Sequence, residues 1–111
     1  MPANTHALFD GLPGAEMIAD GLRDIAEGRE TISSELVKIG SYRLRRCGIE
    51  IDVTDEHALN ADRRLYVILS AMHGNAAHSQ YNAWVRQLVS FERALEQRIA
   101  RSINNHPATL N

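Results

Sequence analysis

The sequence contains one cysteine, three prolines and few aromatic residues, and these shortages exclude several classes of protein. Cys47 alone cannot form an intramolecular disulfide or a thiolate metal cluster, which agrees with a reducing compartment. No apolar run approaches the roughly 18 residues that a membrane-spanning helix needs. Residues 1–14 lack the basic and apolar regions of a secretory signal. We therefore expect a cytoplasmic protein without a membrane partner.

The charge is slightly acidic overall and is arranged in blocks along the chain. A formal net charge of -2 argues against a generally basic nucleic-acid-binding protein. Acidic residues dominate residues 1–30 and 49–62, whereas residues 31–48 are basic, so we interpret the blocks as charge balance between neighbouring elements. With 44% hydrophobic and 23% charged residues, the composition predicts one globular domain over residues 1–111.

Apolar residues recur at helical spacing in four segments of the chain. The first segment runs from Ala15 to a stop signal at Gly28. Thr31 is a suitable N-cap for the second, over residues 32–47, and Gly48 followed by Ile49 matches a Schellman-type stop. A third helix has a body at residues 65–72 that is apolar nearly all round, so we expect it to be the most buried element.

The fourth predicted helix is long, because its apolar pattern continues from residue 76 to residue 102. At 1.5 Å per residue it is roughly 40 Å long, more than so small a domain can cover. Residues 49–53 alternate apolar with acidic but have no strand partner, so we expect an extended connector. Residues 1–13 are predicted to form a loosely held arm and residues 104–111 a frayed tail. The fold prediction is all-α, a compact antiparallel bundle of about four helices.

The main candidate site is an apolar seam along the fourth helix. Its members recur at alternating spacings of four and three, and the seam extends beyond what the third helix can cover. Helices in water associate to bury such stripes, so we expect a homodimer or binding to another protein. The alternative is that the arm covers the surplus through Leu8 and Phe9. The predicted interface consists of Tyr81, Trp84, Leu88, Phe91, Leu95, Ile99 and Ile103.

Two charged residues fall where helical wheels place apolar ones. Arg43 lies within the apolar arc of the second helix, and Glu92 lies within the seam of the fourth. Burying either charge alone is costly, so we predict that the two form a buried ion pair across the bundle. The alternative is that Glu92 is a ligand-binding carboxylate.

A small basic patch with one aromatic residue is predicted on the opposite face of the second helix. Lys38, Tyr42, Arg45 and Arg46 fall there, and phosphate binding needs such an array of donors. The patch supports an alternative function as a nucleic-acid-associated regulator. The competing interpretation is an ordinary solvated helix face.

The sequence contains no catalytic or family motif. A phosphate-binding glycine loop, a Gly-x-Ser-x-Gly elbow and a His-Glu-x-x-His pair are all missing. His73 and His78 flank the turn Gly74–Asn75, but a spacing of five across a helix break is no metal-ligand pattern, so surface or capping histidines are favoured. Cys47 is interpreted as a small core residue. An enzyme would need His73, His78 and Glu92 in one pocket.

These patterns favour a small helical protein–protein interaction or regulatory module over a catalyst. We predict no catalytic residue, no metal and no cofactor. The long fourth helix is the predicted interaction surface.

Overall fold

Helices account for nearly all of the regular structure. The computed structural model describes residues 9–105, with side chains for residues 9–102. The described residues are 79% helical and contain no strand, which confirms the all-α prediction. The elements in chain order are α1 (Ala15–Ala26), α2 (Ile32–Ile39), α3 (Ser41–Arg46), α4 (Asp55–Leu59), α5 (Ala61–His73), a 3-10 turn (Gly74–Ala76) and α6 (Ala77–Asn105).

Local sequence signals set the helix boundaries. Thr31 has extended backbone, and its Oγ1 accepts a hydrogen bond of 3.1 Å from the N–H of Ser34, which caps α2. Gly48, at φ 97°, ends α3, and the N–H of Ile49 donates to the carbonyl of Leu44 at 3.1 Å. This is the Schellman arrangement that glycine at a positive φ permits. The predicted cap and stop are both confirmed.

The second predicted helix is divided at Gly40. Its backbone, at φ -90° and ψ 9°, ends α2 and precedes α3. A Cβ on Gly40 would lie 2.6 Å from Glu92 Oε2 and 3.0 Å from a methyl carbon of Leu88, so glycine permits the close approach of α6. A second division, at Asn60, separates α4 from α5. The described residues therefore form six α-helices where the sequence predicts about four.

The central helix is α2, because it contacts α1, α4, α5 and α6. Residues 34–38 are buried without interruption. In α5, by contrast, Leu65 and Leu69 are buried, but Val67 and Met72 are 62% and 60% exposed. The prediction that the third helix is the most buried element is therefore wrong. Its all-round apolar sequence reflects an exposed apolar side as well as a core side.

The long helix α6 is covered in part by the start of the described chain. At 29 residues it is about 43 Å long, which only the 57 Å axis of the 57 × 27 × 23 Å molecule can accommodate. Phe9 is 1% exposed, and its ring centre lies 5.5 Å from that of Phe91 in an edge-on contact. The described part of the predicted arm is therefore anchored. Residues 1–8 and 106–111, which include most of the predicted arm and tail, lie outside the described residues.

Residues 49–53 form an extended connector, as predicted. Its two isoleucines are buried, and its acidic residues are exposed. Arg45 holds the connector by donating to the carbonyl of Ile51 at 2.8 Å and to the carbonyl of Val53. A search of the described residues finds no helix with the length and hydropathy that crossing a bilayer requires.

Candidate functional site

The predicted interface along α6 is largely covered by the chain itself. Helices α2 and α5 and the ring of Phe9 pack against it. The prediction of a free apolar seam is therefore wrong at its centre, and it fails because covering side chains come from distant parts of the sequence. The fully buried members are Leu88, Phe91 and Leu95. The half-buried members are Tyr81, Trp84 and Ile99, and the side chain of Ile103 lies outside the described residues.

The large exposed apolar side chains near this region lie on α4 and α5. Leu59 is 78% exposed, Val67 62% and Tyr66 40%. Tyr66 and Val67 lie on the side of α5 that faces away from the core, and Leu59 ends α4 immediately before α5 begins. We call these three residues the outer apolar face. It reaches α6 at Tyr81, whose ring centre lies 5.8 Å from that of Tyr66.

Arg43 and Glu92 meet across the bundle, as the helical wheels predict. Arg43 Nη1 donates to Glu92 Oε1 at 3.0 Å, while its Nη2 and Nε donate to the two carboxylate oxygens of Glu96 at 2.7 and 3.1 Å. The Glu92 side chain is 5% exposed and that of Arg43 is 41% exposed. The guanidinium therefore joins a buried carboxylate to a surface carboxylate, so only the Glu92 half of the pair is buried.

The two carboxylates that share Arg43 differ in their pKa values. Burial raises the pKa of Glu92 above its ordinary value of 4.5, and this effect outweighs the attraction of Arg43. The hydrogen bond from Arg43 lowers the pKa of the exposed Glu96 carboxyl, and the same hydrogen bond raises the pKa of the Arg43 guanidinium. Opposite exposure thus produces opposite shifts at the two carboxylates.

The predicted basic patch does not assemble at the surface. Lys38 is 5% exposed, and Arg45 is engaged by the connector and lies 3.6 Å from Asp55. Tyr42 and Arg46 alone remain exposed, with the Arg46 guanidinium 5.8 Å from the centre of the Tyr42 ring. A helical wheel counts only the residues of its own helix, whereas α4 and α5 contact α2 as well. The predicted surface of four residues is therefore wrong.

Lys38 belongs instead to a cluster of Glu35, Lys38, His57 and Arg64, which we call the buried polar cluster because Glu35 and Lys38 at its centre are buried. The side chains of His57 and Arg64 are 41% and 22% exposed. Glu35 has no exposed surface and accepts hydrogen bonds from Lys38 Nζ at 3.1 Å and Arg64 Nε at 2.8 Å. Lys38 Nζ also lies 3.1 Å from His57 Nε2. Because an ammonium group only donates, His57 must accept through Nε2 and hold its ring proton on Nδ1. The cluster thus connects α2, α4 and α5.

Sequence reasoning missed this cluster, although one weak signal was available. Glu35 and Lys38 are three residues apart on α2, the spacing of a helical ion pair. That spacing is usual on solvated helix faces and gives no indication of burial. The approach of His57 and Arg64 depends on the direction in which the connector leads the chain, and the alternating pattern of residues 49–53 predicts an extended backbone but not that direction.

A cavity of about 300 Å³ lies beside the buried polar cluster. Lys38 and His57 form part of its wall, and the last turn of α1, the loop between α1 and α2, and the connector form the rest. The lining contains two cations and two carboxylates, together with the apolar side chains of Ile25 and Val53. The four charged residues are Arg29, Glu30, Lys38 and Asp52.

A larger groove of about 620 Å³ lies between the start of α1 and Trp84. Its charged lining is acidic only, consisting of Asp10, Glu16 and Asp20, and none of these side chains is buried. Asp20 is already paired with Arg23 at 2.9 Å. The smaller cavity differs because a buried ammonium group forms part of its wall.

His73 and His78 are both exposed at the turn between α5 and α6. His78 Nε2 lies 3.3 Å from the side-chain amide nitrogen of Asn82. Over residues 9–105, no three or more His, Cys, Asp or Glu side chains are grouped so that they could hold a metal ion. Cys47 is half-buried, and burial raises the pKa of its thiol, which disfavours the thiolate form.

These observations define an all-α protein with the buried polar cluster, a small charged cavity beside it and the outer apolar face. Comparison of the chain with protein-family models, curated proteins and solved structures finds no match.

Proposed function

We propose that the protein is a small helical protein–protein interaction module that self-associates through the outer apolar face. The observation that supports this proposal is the exposure of Leu59 and Val67, at 78% and 62%, with Val67 on a helix whose opposite side packs on the core through Leu65 and Leu69. Contact between two such faces removes apolar surface from water, which is the main driving force for association. A second copy is the proposed partner, because a two-fold contact lets one apolar face cover another.

One residue of the predicted seam, Tyr81, belongs to the proposed interface. Tyr81 is half-buried and its ring lies beside that of Tyr66 at a tilt of 52°, so it lies at the edge of the face where α5 meets α6. We propose a cytoplasmic location, since the single half-buried cysteine suits a reducing compartment. We also propose a non-catalytic role, in which the helices present a surface to a partner.

The experiment is a molar-mass measurement by light scattering over a range of protein concentrations. The wild type is expected to reach the mass of a dimer, and Val67→Glu is expected to remain a monomer because it places a charge in an apolar contact. Ser90→Glu is the matched control, since it adds the same charge at an exposed position of α6. A wild type that stays monomeric at high concentration, or a Val67→Glu variant that dimerises normally, contradicts the proposal.

A row of arginines on α6 supports a second candidate function. Arg86, Arg93 and Arg101 are exposed and recur at spacings of seven and eight, so they share one face of the helix. Both acidic residues of α6, Glu92 and Glu96, are bound to Arg43, and none of the three arginines forms an ion pair with a described residue. We propose as the second candidate that this row contacts the phosphate backbone of a nucleic acid.

Binding to labelled mixed-sequence DNA and RNA at low salt tests the second candidate. The expected result is binding that weakens steeply with added salt and is reduced by Arg93→Ala. Arg63→Ala, at an exposed position of α5, is the control and should leave binding unchanged. Association through the apolar face should survive the same salt, so the two functions are separable. The lack of salt-sensitive binding overturns this candidate.

A further inference from the structure

Lys38 has more hydrogen-bond donors than the described protein has acceptors for it. Its side chain is 6% exposed, and an ammonium group carries three N–H donors. Glu35 and His57 each lie 3.1 Å from Nζ and account for two of these donors. Because Lys38 also lines the cavity, the third donor is available to an acceptor inside it. A carboxylate suits this position, since charge-assisted hydrogen bonds are the strong ones.

The charges around the cavity include one carboxylate that is not committed to an ion pair. Arg29 is paired with Glu27, and Glu30 lies 3.9 Å from both His57 Nε2 and Arg64 Nε. Asp52 lines the cavity and forms no ion pair with a described residue. The cavity thus offers one spare donor at Lys38 and one spare acceptor group at Asp52.

We propose that this cavity binds a small zwitterion of the α-amino-acid class. The ligand carboxylate accepts from Lys38 Nζ, and the ligand ammonium group donates to Asp52. An anion alone would leave Asp52 without a cationic partner, whereas a zwitterion matches both signs of charge in the lining. The ligand side chain packs against Ile25 and Val53, which favours an aliphatic one.

The size of the cavity agrees with this class of ligand. Small-molecule sites span roughly 300–1,000 Å³, and this cavity of about 300 Å³ is at the lower end. The proposal goes beyond self-association, because the outer apolar face contributes none of the lining residues.

Calorimetric titration of the full chain with three probes of one carbon skeleton tests the proposal. L-leucine carries both charged groups, 4-methylpentanoate lacks the ammonium group, and 3-methylbutylamine lacks the carboxylate. L-leucine is expected to bind. 3-Methylbutylamine is expected to bind about tenfold more weakly, because the buried Lys38 ammonium group loses its ligand carboxylate. 4-Methylpentanoate is expected to bind about threefold more weakly, because it lacks the contact with the exposed Asp52 carboxylate. Equal binding of L-leucine and 4-methylpentanoate overturns the proposal, as does a lack of saturable L-leucine binding at millimolar concentration.

Two variants of connector residues test whether L-leucine binds in this cavity. Asp52→Asn should weaken L-leucine binding by about threefold and leave 4-methylpentanoate binding unchanged, because only L-leucine carries an ammonium group that contacts this exposed carboxylate. Glu50→Gln is the matched control, since Glu50 is an exposed acid on the same connector that does not line the cavity. Both residues are exposed, so neither change disturbs the core. Unaltered L-leucine binding by Asp52→Asn, or an equal loss with Glu50→Gln, overturns the proposal.

Discussion

Glu92 and Glu96, which share Arg43, contribute to stability with opposite dependence on pH. The pKa of Glu92 is raised in the folded protein, so its contribution to stability is fully present below its unfolded value of 4.5 and is lost as pH rises through the folded pKa. The pKa of Glu96 is lowered in the folded protein. Its contribution is present above 4.5 and is lost as pH falls through the folded pKa.

We predict that Glu92→Gln and Glu96→Gln change the pH dependence of stability in opposite directions. The free energy of unfolding of the wild type, relative to Glu92→Gln, should fall as pH rises above 4.5. Relative to Glu96→Gln, it should fall as pH decreases below 4.5. Urea unfolding across the acidic and neutral range measures both differences, and parallel pH profiles for the two variants would contradict the assigned shifts.

The sequence predicted the contact of Arg43 with Glu92 but not the burial of Lys38, and one physical difference explains both outcomes. A charge on an apolar arc is costly to bury alone, so Arg43 required a partner, and Glu92 was the other misplaced charge. Lys38 lies on a polar arc, where exposure costs nothing and no pairing is required. Only the packing of α4 and α5 on α2 buries it, and a helical wheel contains no information about that packing.

At the scale of elements, α1 and α2 approach most tightly at Gly21. A Cβ on this residue would lie 2.4 Å from the carbonyl oxygen of Ser33 and 2.5 Å from Cγ2 of Val37. The first of these atoms belongs to the backbone, so it can move only if the start of α2 moves. Glycine at this position therefore sets the distance between the two helices.

We predict that Gly21→Ala lowers the free energy of unfolding by about 2 kcal/mol, because the cost of overpacking exceeds the gain in helix propensity. Urea unfolding followed by far-UV circular dichroism measures the change. Arg23→Ala, at an exposed position of the same helix, is the control and should shift stability by less than about 1 kcal/mol. Stabilisation by Gly21→Ala would show that the helices can separate freely.

Helix ends were more predictable from sequence than helix continuity. Thr31 and Gly48 act through their own side chain or backbone, so the sequence around them is sufficient to predict the cap and the stop. The division of the predicted second helix falls at Gly40, where Glu92 and Leu88 approach the backbone closely from α6. Such an approach comes from a residue far along the chain, and no local pattern predicts it.

At the scale of the whole molecule, Glu35 joins elements that are distant in sequence. It is the shared acceptor of Lys38 from α2 and Arg64 from α5, and Lys38 in turn contacts His57 from α4. Neutralising Glu35 leaves two cations close together in a poorly solvated place. Breaking a buried ion pair in this way is strongly destabilising.

We predict that Glu35→Gln lowers the free energy of unfolding by about 3 kcal/mol, as expected for the loss of one member of a buried ion pair. Glu56→Gln, at an exposed position of α4, is the control and should change stability by less than about 1 kcal/mol. Chemical denaturation of both variants provides the comparison. Equal stability of the two variants would mean that Glu35 is hydrated in solution.

The fold class was predictable because helical periodicity extends over most of the chain. The location of the exposed apolar surface was not predictable, since it depends on which elements cover α6. Phe9 and α2 cover its centre, and the uncovered surface appears on Val67 of α5 instead. Sequence periodicity identifies an apolar stripe, but the tertiary arrangement decides what remains accessible to a partner.

The contact between the start of the described chain and α6 has a consequence for folding kinetics. Arg98 donates to the carbonyl of Asp10 at 3.0 Å across 88 residues of sequence, next to the edge-on contact of Phe9 with Phe91. Loop closure over such a separation is entropically costly, so we expect these contacts to form after the rate-limiting step. Weakening them with Phe9→Leu should then accelerate unfolding in stopped-flow experiments and leave the refolding rate nearly unchanged.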